Sequence, residues 1–424
     1  MSEDPVRASS LAARIDAAAQ SIEDEVIAWR RDFHANPELG NREVRTSGIV
    51  AAHLKKLGFD EVRTEVAHTG VVGLLKGALP GPVVALRADM DALPVPEEVD
   101  IPFASKVKAQ WNGESVGIMH ACGHDTHTAI LMGVAEVLAG LRANLRGSVK
   151  FIFQPAEEGA PDGEEGGAKM MIAEGALEKP VPQAIFGLHV TSRLPVGVIG
   201  YRPGPTMAAA DRLQITVHGR QTHGAMPWFG VDPIVTAAQV VLGLQTVVSR
   251  TIDLTREPAV VTIGMIRGGL RQNIIPEKVE MLGTIRSFDE EMQDDIHDRV
   301  TTLAESISRG SRAGCTVCIT KHYPVTVNDP ALTEKMAPTL GRVAGEGKLQ
   351  VVPKVLGSED FSFFQRVVPG LFFFVGVVPP GTDMNDAAPN HSPRFYVDEA
   401  CLVVGVRALA NLTCDYLESA TSKT

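Results

Sequence analysis

Within eight consecutive residues, His120-Ala121-Cys122-Gly123-His124-Asp125-Thr126-His127, the chain carries three imidazoles, one thiol and one carboxylate. Thiolate and imidazole are preferred ligands of zinc and its neighbours. A glycine between Cys122 and His124 lets the backbone turn so that both can converge on one ion. The same run also reads as a polar loop in which Asp125 or Thr126 caps the apolar helix that follows. A second cluster, Gln154-Pro155-Ala156-Glu157-Glu158-Gly159, sets two adjacent carboxylates after an apolar, β-rich run. Neighbouring residues there point different ways, so one can bind metal while the other takes a proton from water activated beside it. Because Asp162, Glu164 and Glu165 follow closely, a solvated acidic turn is the competing reading.

Two further histidines stand in similar places, His189 at the end of Ile185-Phe186-Gly187-Leu188 and His391 in Pro389-Asn390-His391-Ser392-Pro393. Each taken singly also fits a structural histidine. Asp89-Met90-Asp91 closes another β-rich run, where its carboxylates can orient ligands from behind. Carboxyl ends of strands are where open α/β sheets place their ligands.

Elements must exist to bring these groups together. Leu11 to His34 and Glu43 to Leu57 have helical apolar spacing, and Thr128 to Leu141 is a strongly apolar helix. Val71 to Leu75, Val83 to Arg87, Val149 to Phe153 and Ala184 to Leu188 are short apolar runs of the kind that become buried strands. This alternation predicts an α/β domain with a mostly parallel sheet. From about Pro203 the order becomes strand (Leu213 to Val217), helix (Ile234 to Ser249), two strands (Val260 to Ile266 and Lys278 to Ile285), helix (Glu291 to Ser308) and strand (Thr316 to Thr320). That is the order of a ferredoxin-like α+β unit. After about His322 the α/β character returns, with a helix near Leu332 to Val343, the strand Leu371 to Val375 and a closing helix near Asp398 to Leu417. The expected division is therefore one domain from residues 1–203 and 321–424, with residues 204–320 inserted.

Composition narrows the function. The 424 residues are 44% hydrophobic and 21% charged, an ordinary globular balance. Acidic residues outnumber basic ones 51 to 40 and no Lys/Arg block occurs, which excludes the footprint of a nucleic-acid binder. No run approaches the roughly 18 consecutive apolar residues of a membrane span. The stretch Met1 to Gln20 lacks the basic start and apolar run of a secretory leader, so a cytoplasmic location is expected. Five cysteines, an odd number, fit a reducing compartment. Cys315 and Cys318 lie on an apparent strand, where residues three apart face opposite sides, so packing is expected of them rather than metal or redox chemistry.

As an ordered set, these segments resemble the aminoacylase/carboxypeptidase family of dinuclear metallopeptidases, in its amidohydrolase branch with hippurate hydrolases and auxin-conjugate hydrolases. The resemblance spans nearly the whole chain. It runs from Arg30-Arg31-Asp32-Phe33-His34 and Pro37-Glu38 through Arg87-Ala88-Asp89-Met90-Asp91-Ala92-Leu93-Pro94, the Cys-Gly-His-Asp run and Gln-Pro-Ala-Glu-Glu-Gly. It continues through Gly187-Leu188-His189, His223-Gly224-Ala225-Met226-Pro227, Asn273-Ile274-Ile275-Pro276, Gly357-Ser358-Glu359-Asp360-Phe361 and Asn390-His391-Ser392.

The resemblance implies that Cys122, His124, Glu158, His189 and His391 hold two divalent ions (Zn, Mn, Co or Ni), with Glu157 as general base and Asp89 and Asp91 behind the ligands. It implies that the inserted domain is a lid that makes a homodimer, with His223 reaching into the partner's site. Asn273 and Arg286 would grip the carboxylate of a small N-acyl amino acid substrate. The chain departs from the branch at Trp228, where a histidine commonly follows the proline, and in the acidic stretch Pro161-Asp162-Gly163-Glu164-Glu165. Both departures bear on substrate choice. Against the hydrolase stand a metal-binding interaction protein without catalysis, a small-dipeptide peptidase, and an enzyme using Cys122 as a thiol nucleophile. The spare carboxylate beside Glu158 speaks against a purely structural metal site.

Overall fold

The computed structural model describes residues 10–421, with the side chain of Thr421 left aside. The first nine residues, part of the stretch on which the expectation of no leader rests, lie outside the described residues. The chain divides into two compact units. One takes the described residues up to Gly204, then Asn328–Val352 and those from Phe363 on; the other takes Pro205–Val327 and Pro353–Ser362.

The first unit is built on an eight-stranded sheet. From one edge the strands run Glu61–Val66, Gly70–Lys76, Arg146–Gln154, Leu79–Asp89, Ala184–Pro195, Gly370–Val378, Ile199–Tyr201 and Leu349–Val351. The centre, from Arg146–Gln154 to Gly370–Val378, is parallel throughout. Parallel strands are covered on both faces, and the apolar runs show it: all nine residues of Gly370–Val378 are buried, as are those from Val84 to Asp89. The helix His124–Gly140 is buried along almost its whole length and packs beside Ala400–Thr421. Among the described residues two helices, Pro233–Thr251 and Ala400–Ala420, are long and apolar enough by length and composition to cross a membrane, and the second is mostly buried among the core residues of this unit.

Two expectations change in detail. The helical run from Leu11 to His34 is two helices, Leu11–Ser21 and Glu23–Ala35, broken at Ile22. Glu23, Asp24 and Glu25 fall in the first turn of the second, where negative charge favours a helix start. The strand leading to His189 does not end there but continues to Pro195. His189 still lies at an open end of the neighbouring strand, because the parallel register pairs Arg87 with Gly187 and Leu79–Asp89 stops two residues later. Strand Glu61–Val66 and the hairpin Lys108–Trp111/Glu114–Gly117 are additional; they are short and carry little apolar patterning.

The second unit has four antiparallel strands ordered Ala259–Gly268, Lys278–Ser287, Ala209–His218, Gly314–Tyr323, with helices Pro233–Thr246 and Glu290–Gly310 on one face. This is the ferredoxin-like arrangement. Ile285, Met281, Val240, Leu244, Ile296 and Val300 form part of its core. Residues 321–327 and 353–362 also group with this unit: Lys321 and Tyr323 pair with Asp211 and Ala210, and Ala208 N–H donates to the carbonyls of Val355 and Gly357. Cys315 is half-buried against the core and Cys318 is exposed, as strand alternation requires.

Candidate metal centre

Gly123 begins the geometry. Its φ of 95° is in the left-handed region, and a Cβ there would lie 2.3 Å from Val190 Cγ2, so only glycine fits. The turn delivers Cys122 just before the helix that starts at His124. Hydrogen bonds then decide which imidazole nitrogens are free. His124 Nδ1 lies 3.1 Å from Asp91 Oδ1, while its fully buried Nε2 has no hydrogen-bond partner. His189 Nδ1–H donates to the Val190 carbonyl at 2.6 Å, which leaves Nε2 facing Cys122 Sγ at 3.3 Å. His391 Nε2 stands 3.2 Å from the same sulfur and 3.0 Å from Glu158 Oε1.

Ligand atoms therefore fall into two groups, Cys122/His124/His189 and Cys122/Glu158/His391, each within 4.8 Å of one another. The two groups share Cys122 Sγ. Asp89, His124 and His127 also cluster, but His127 has both nitrogens occupied: Nε2 accepts from Val190 N–H at 2.9 Å, so Nδ1–H donates to Asp89 at 2.6 Å. His127 is a brace.

The electrostatics favour positive charge at this place. Burial works against charge on His124, yet Asp89 and the bond to Asp91 outweigh it and push the imidazole up to about 10. Burial, then the charges of Glu158 and Glu157, hold the Cys122 thiol well above its ordinary value. A thiolate here needs the positive charge of bound ions. The orphaned His124 Nε2, the Glu158 carboxylate and the thiol fit divalent metal.

Glu157, 5% exposed, brings Oε2 to 3.9 Å from His124 Nε2 and belongs to neither group that shares the sulfur. Asp91 holds His124 with one oxygen and accepts from Glu158 N–H at 3.0 Å with the other. Asp89 is fully buried and bonded to Arg87 at 2.6 Å.

Three features escaped sequence reasoning as site residues. Asn390 donates its amide to the carbonyls of Cys122 at 3.1 Å and Val190 at 3.2 Å, tying three ligand-bearing segments together. His34 is flanked by Asp125 at 2.8 Å and Glu97 at 2.9 Å; burial opposes its charge, but these partners raise its pKa overall. Glu43 lies buried under the Glu157 turn. The motifs Arg30 to His34 and Asn390-His391-Ser392 hinted at two of the three.

The remaining expected residues belong to the second unit. His223 is exposed on a two-residue strand paired with Ile274–Ile275, and its Nδ1 accepts from Ala225 N–H at 3.0 Å, which leaves Nε2–H as a donor. Exposed Asn273 is alongside, its carbonyl accepting from Gly224 N–H at 2.8 Å. Arg286 is half-buried and donates to Ser358 Oγ at 3.0 Å. Trp228 and Phe229 are exposed in the turn after His223. In the acidic stretch, Glu164 pairs with Arg42 and Asn41.

Two clusters of side chains that could hold a metal ion meet at one sulfur beside a buried carboxylate, an arrangement that suits a dinuclear metal hydrolase. Residues 85–415 match the Peptidase family M20/M25/M40, and the chain belongs to that family. It is 41% identical over 398 residues to thermostable carboxypeptidase 2 of Saccharolobus solfataricus, covering 94% of this chain and 96% of that protein. It is 37% identical over 404 residues to an N-acetylcysteine deacetylase of Bacillus subtilis, covering 95% and 99%. The YXEP protein of Bacillus subtilis, described as a dinuclear metal binding peptidase of the M20 family, superposes with a TM-score of 0.78 at 35% identity, covering 94% of this chain and 99% of that one. The chain is accordingly a metal-dependent hydrolase of amide bonds that uses two divalent ions.

Proposed function

We propose that the enzyme hydrolyses the amide bond of small N-acyl amino acids, with Glu157 as general base. The observation that carries this reading is the buried Glu157 carboxylate beside two ligand groups joined at Cys122 Sγ. Cys122, His124 and His189 would hold one ion and Cys122, Glu158 and His391 the other; zinc, manganese, cobalt and nickel all suit this donor set. Bound there, the ions supply Lewis acidity, which acidifies water and polarises the amide carbonyl. Glu157 removes a proton from the attacking water, whose oxygen joins the carbonyl carbon. It returns the proton to the amine nitrogen as the C–N bond breaks, giving a carboxylic acid and a free amino acid.

Arg286 and Asn273 take the substrate's carboxylate in this reading, a role suited to a planar guanidinium. Arg286→Ala should cost acyl-amino acids about 2 to 5 kcal/mol in kcat/KM, more than tenfold, and cost the matching amides or esters far less. Equal losses on charged and uncharged substrates would remove Arg286 from carboxylate recognition. The relative named as a carboxypeptidase favours a second reading, a peptidase for short peptides, whose substrates end in the same carboxylate. Rates on acetyl, benzoyl, indole-acetyl and long-chain acyl amino acids beside dipeptides decide between them, with chelation and metal rescue as the control.

The exposed Nε2–H of His223 suits stabilisation of a developing oxyanion, and the reading gives it to the partner's site in a homodimer. Mixing inactive His223→Ala with inactive Glu157→Gln subunits then restores part of the activity, because one hybrid site is whole. Proven subunit exchange without recovery would end the cross-subunit role. The reading also keeps the expected cytoplasmic location, which fractionation of cells expressing the full chain tests.

A further inference from the structure

Glu43 stands at the N-cap position of the helix Val44–Lys56, yet its side chain makes no capping bond. The Glu38 carboxylate caps that helix instead, accepting from Arg45 N–H at 2.9 Å and Thr46 N–H at 2.8 Å. Glu43 is thereby free to cross to the turn of the two glutamates. Fully buried, it accepts from Ala156 N–H at 2.9 Å through Oε1 and places Oε2 2.5 Å from Thr69 Oγ1. Ala156 has a φ of 50°, a left-handed conformation that costs a non-glycine residue about 1 kcal/mol or more and persists only where neighbours hold it. Two residues on, Glu158 N–H is held by Asp91. The backbone N–H groups of the two residues that flank Glu157, Ala156 and Glu158, are each tied to a buried carboxyl. The outer side is packed as well, since a Cβ on Gly40 would meet Gly159 O at 2.9 Å and Ala156 Cβ at 3.1 Å.

We propose that Glu43 is a positioning residue for Glu157: by holding Ala156 N–H it maintains the left-handed turn that aims the base. This rests on Glu157 being the base. With alanine at position 43, Ala156 can relax toward ordinary backbone conformations and Glu157 loses its aim. The five proposed ligands keep their own supports, with Glu158 still tied to Asp91. Burial, then the charge of Asp91, push the Glu43 carboxyl up to about 8. Glutamine has the shape of the protonated carboxyl. Its amide oxygen accepts from Ala156 and its NH₂ meets Thr69 Oγ1.

The test measures kcat, KM, metal per chain and Tm for the wild type, Glu43→Ala, Glu43→Gln and Thr69→Val. Misaiming a catalytic group by about 1 Å costs on the order of 10²-fold, so Glu43→Ala should lower kcat by at least about 30-fold with KM and metal content close to wild type. Glu43→Gln should recover kcat to within about threefold of wild type, because the bond from Ala156 N–H survives and the Thr69 hydroxyl can accept from the amide NH₂. Glu43→Ala at wild-type kcat overturns the proposal, as does Glu43→Gln as slow as Glu43→Ala. A loss of rate that tracks loss of metal does so too, by making Glu43 a brace of the ion site. Should Glu43→Ala fail to fold, Glu43→Gln at full rate with a slowed, metal-replete Thr69→Val supports the role, and an unaffected Thr69→Val overturns it. A wild type inactive on every acyl amino acid and dipeptide fails the base reading itself. Turnover abolished by Glu157→Gln but untouched by Glu43→Ala fails this inference alone.

Discussion

Glu157→Gln should retain both ions and lose about 10³- to 10⁴-fold in kcat, the upper range for removal of a general base. Glutamine occupies the same space and can still accept a hydrogen bond, but its amide does not take up the water's proton. The separation of effects is what makes the experiment informative. Glu157 lies outside the two groups that share Cys122 Sγ, so metal analysis of the variant should match the wild type. It also lies near His124 Nε2, in a further cluster with His124 and Glu158. If metal falls along with rate, Glu157 is a ligand. If the variant keeps half the parent rate, another group is the base.

Cys122→Ala should have the largest effect on metal content. A ligand serving one ion takes that ion with it when removed; Cys122 Sγ is placed against His189 at 3.3 Å and His391 at 3.2 Å, on both sides. Metal per chain should therefore fall from two toward zero, with activity following. His391→Ala, at the half-exposed end, should empty one site only. One ion remaining in Cys122→Ala would confine the sulfur to one site, and two would leave it a packed thiol. Because the thiol is held protonated by burial and neighbouring carboxylates until a cation arrives, loading of the wild-type apoprotein should also release protons.

Much of the fold was legible because its signals are local. The buried runs at Val83 to Arg87 and Val149 to Phe153 carry the apolar, β-branched composition of covered parallel strands, and Asp289 with Glu290 and Glu291 marks the start of the long helix Glu290–Gly310. The two polar hairpin strands at Lys108–Trp111 and Glu114–Gly117 were not legible, since four residues without apolar alternation look like loop. The break at Ile22 was hidden for the opposite reason: apolar spacing continues across it, and only capping and charge mark the end.

By itself the sequence determined the chemical types: thiol, imidazoles and paired carboxylates beside strand ends, on a sheet whose strands could be named. Those follow from side-chain identity and from periodicities that act over a few residues. Only the tertiary structure decided which atoms are available. His127 and His124 sit one helical turn apart on the same element, yet one has both nitrogens occupied and the other keeps Nε2 open. The difference lies in partners 33 to 63 residues away, Asp89, Asp91 and Val190. The shared sulfur is likewise a meeting of residues 67 and 269 positions apart. Hydrogen bonding and burial are properties of the packed chain, and they, more than residue type, choose the ligand, the brace and the base.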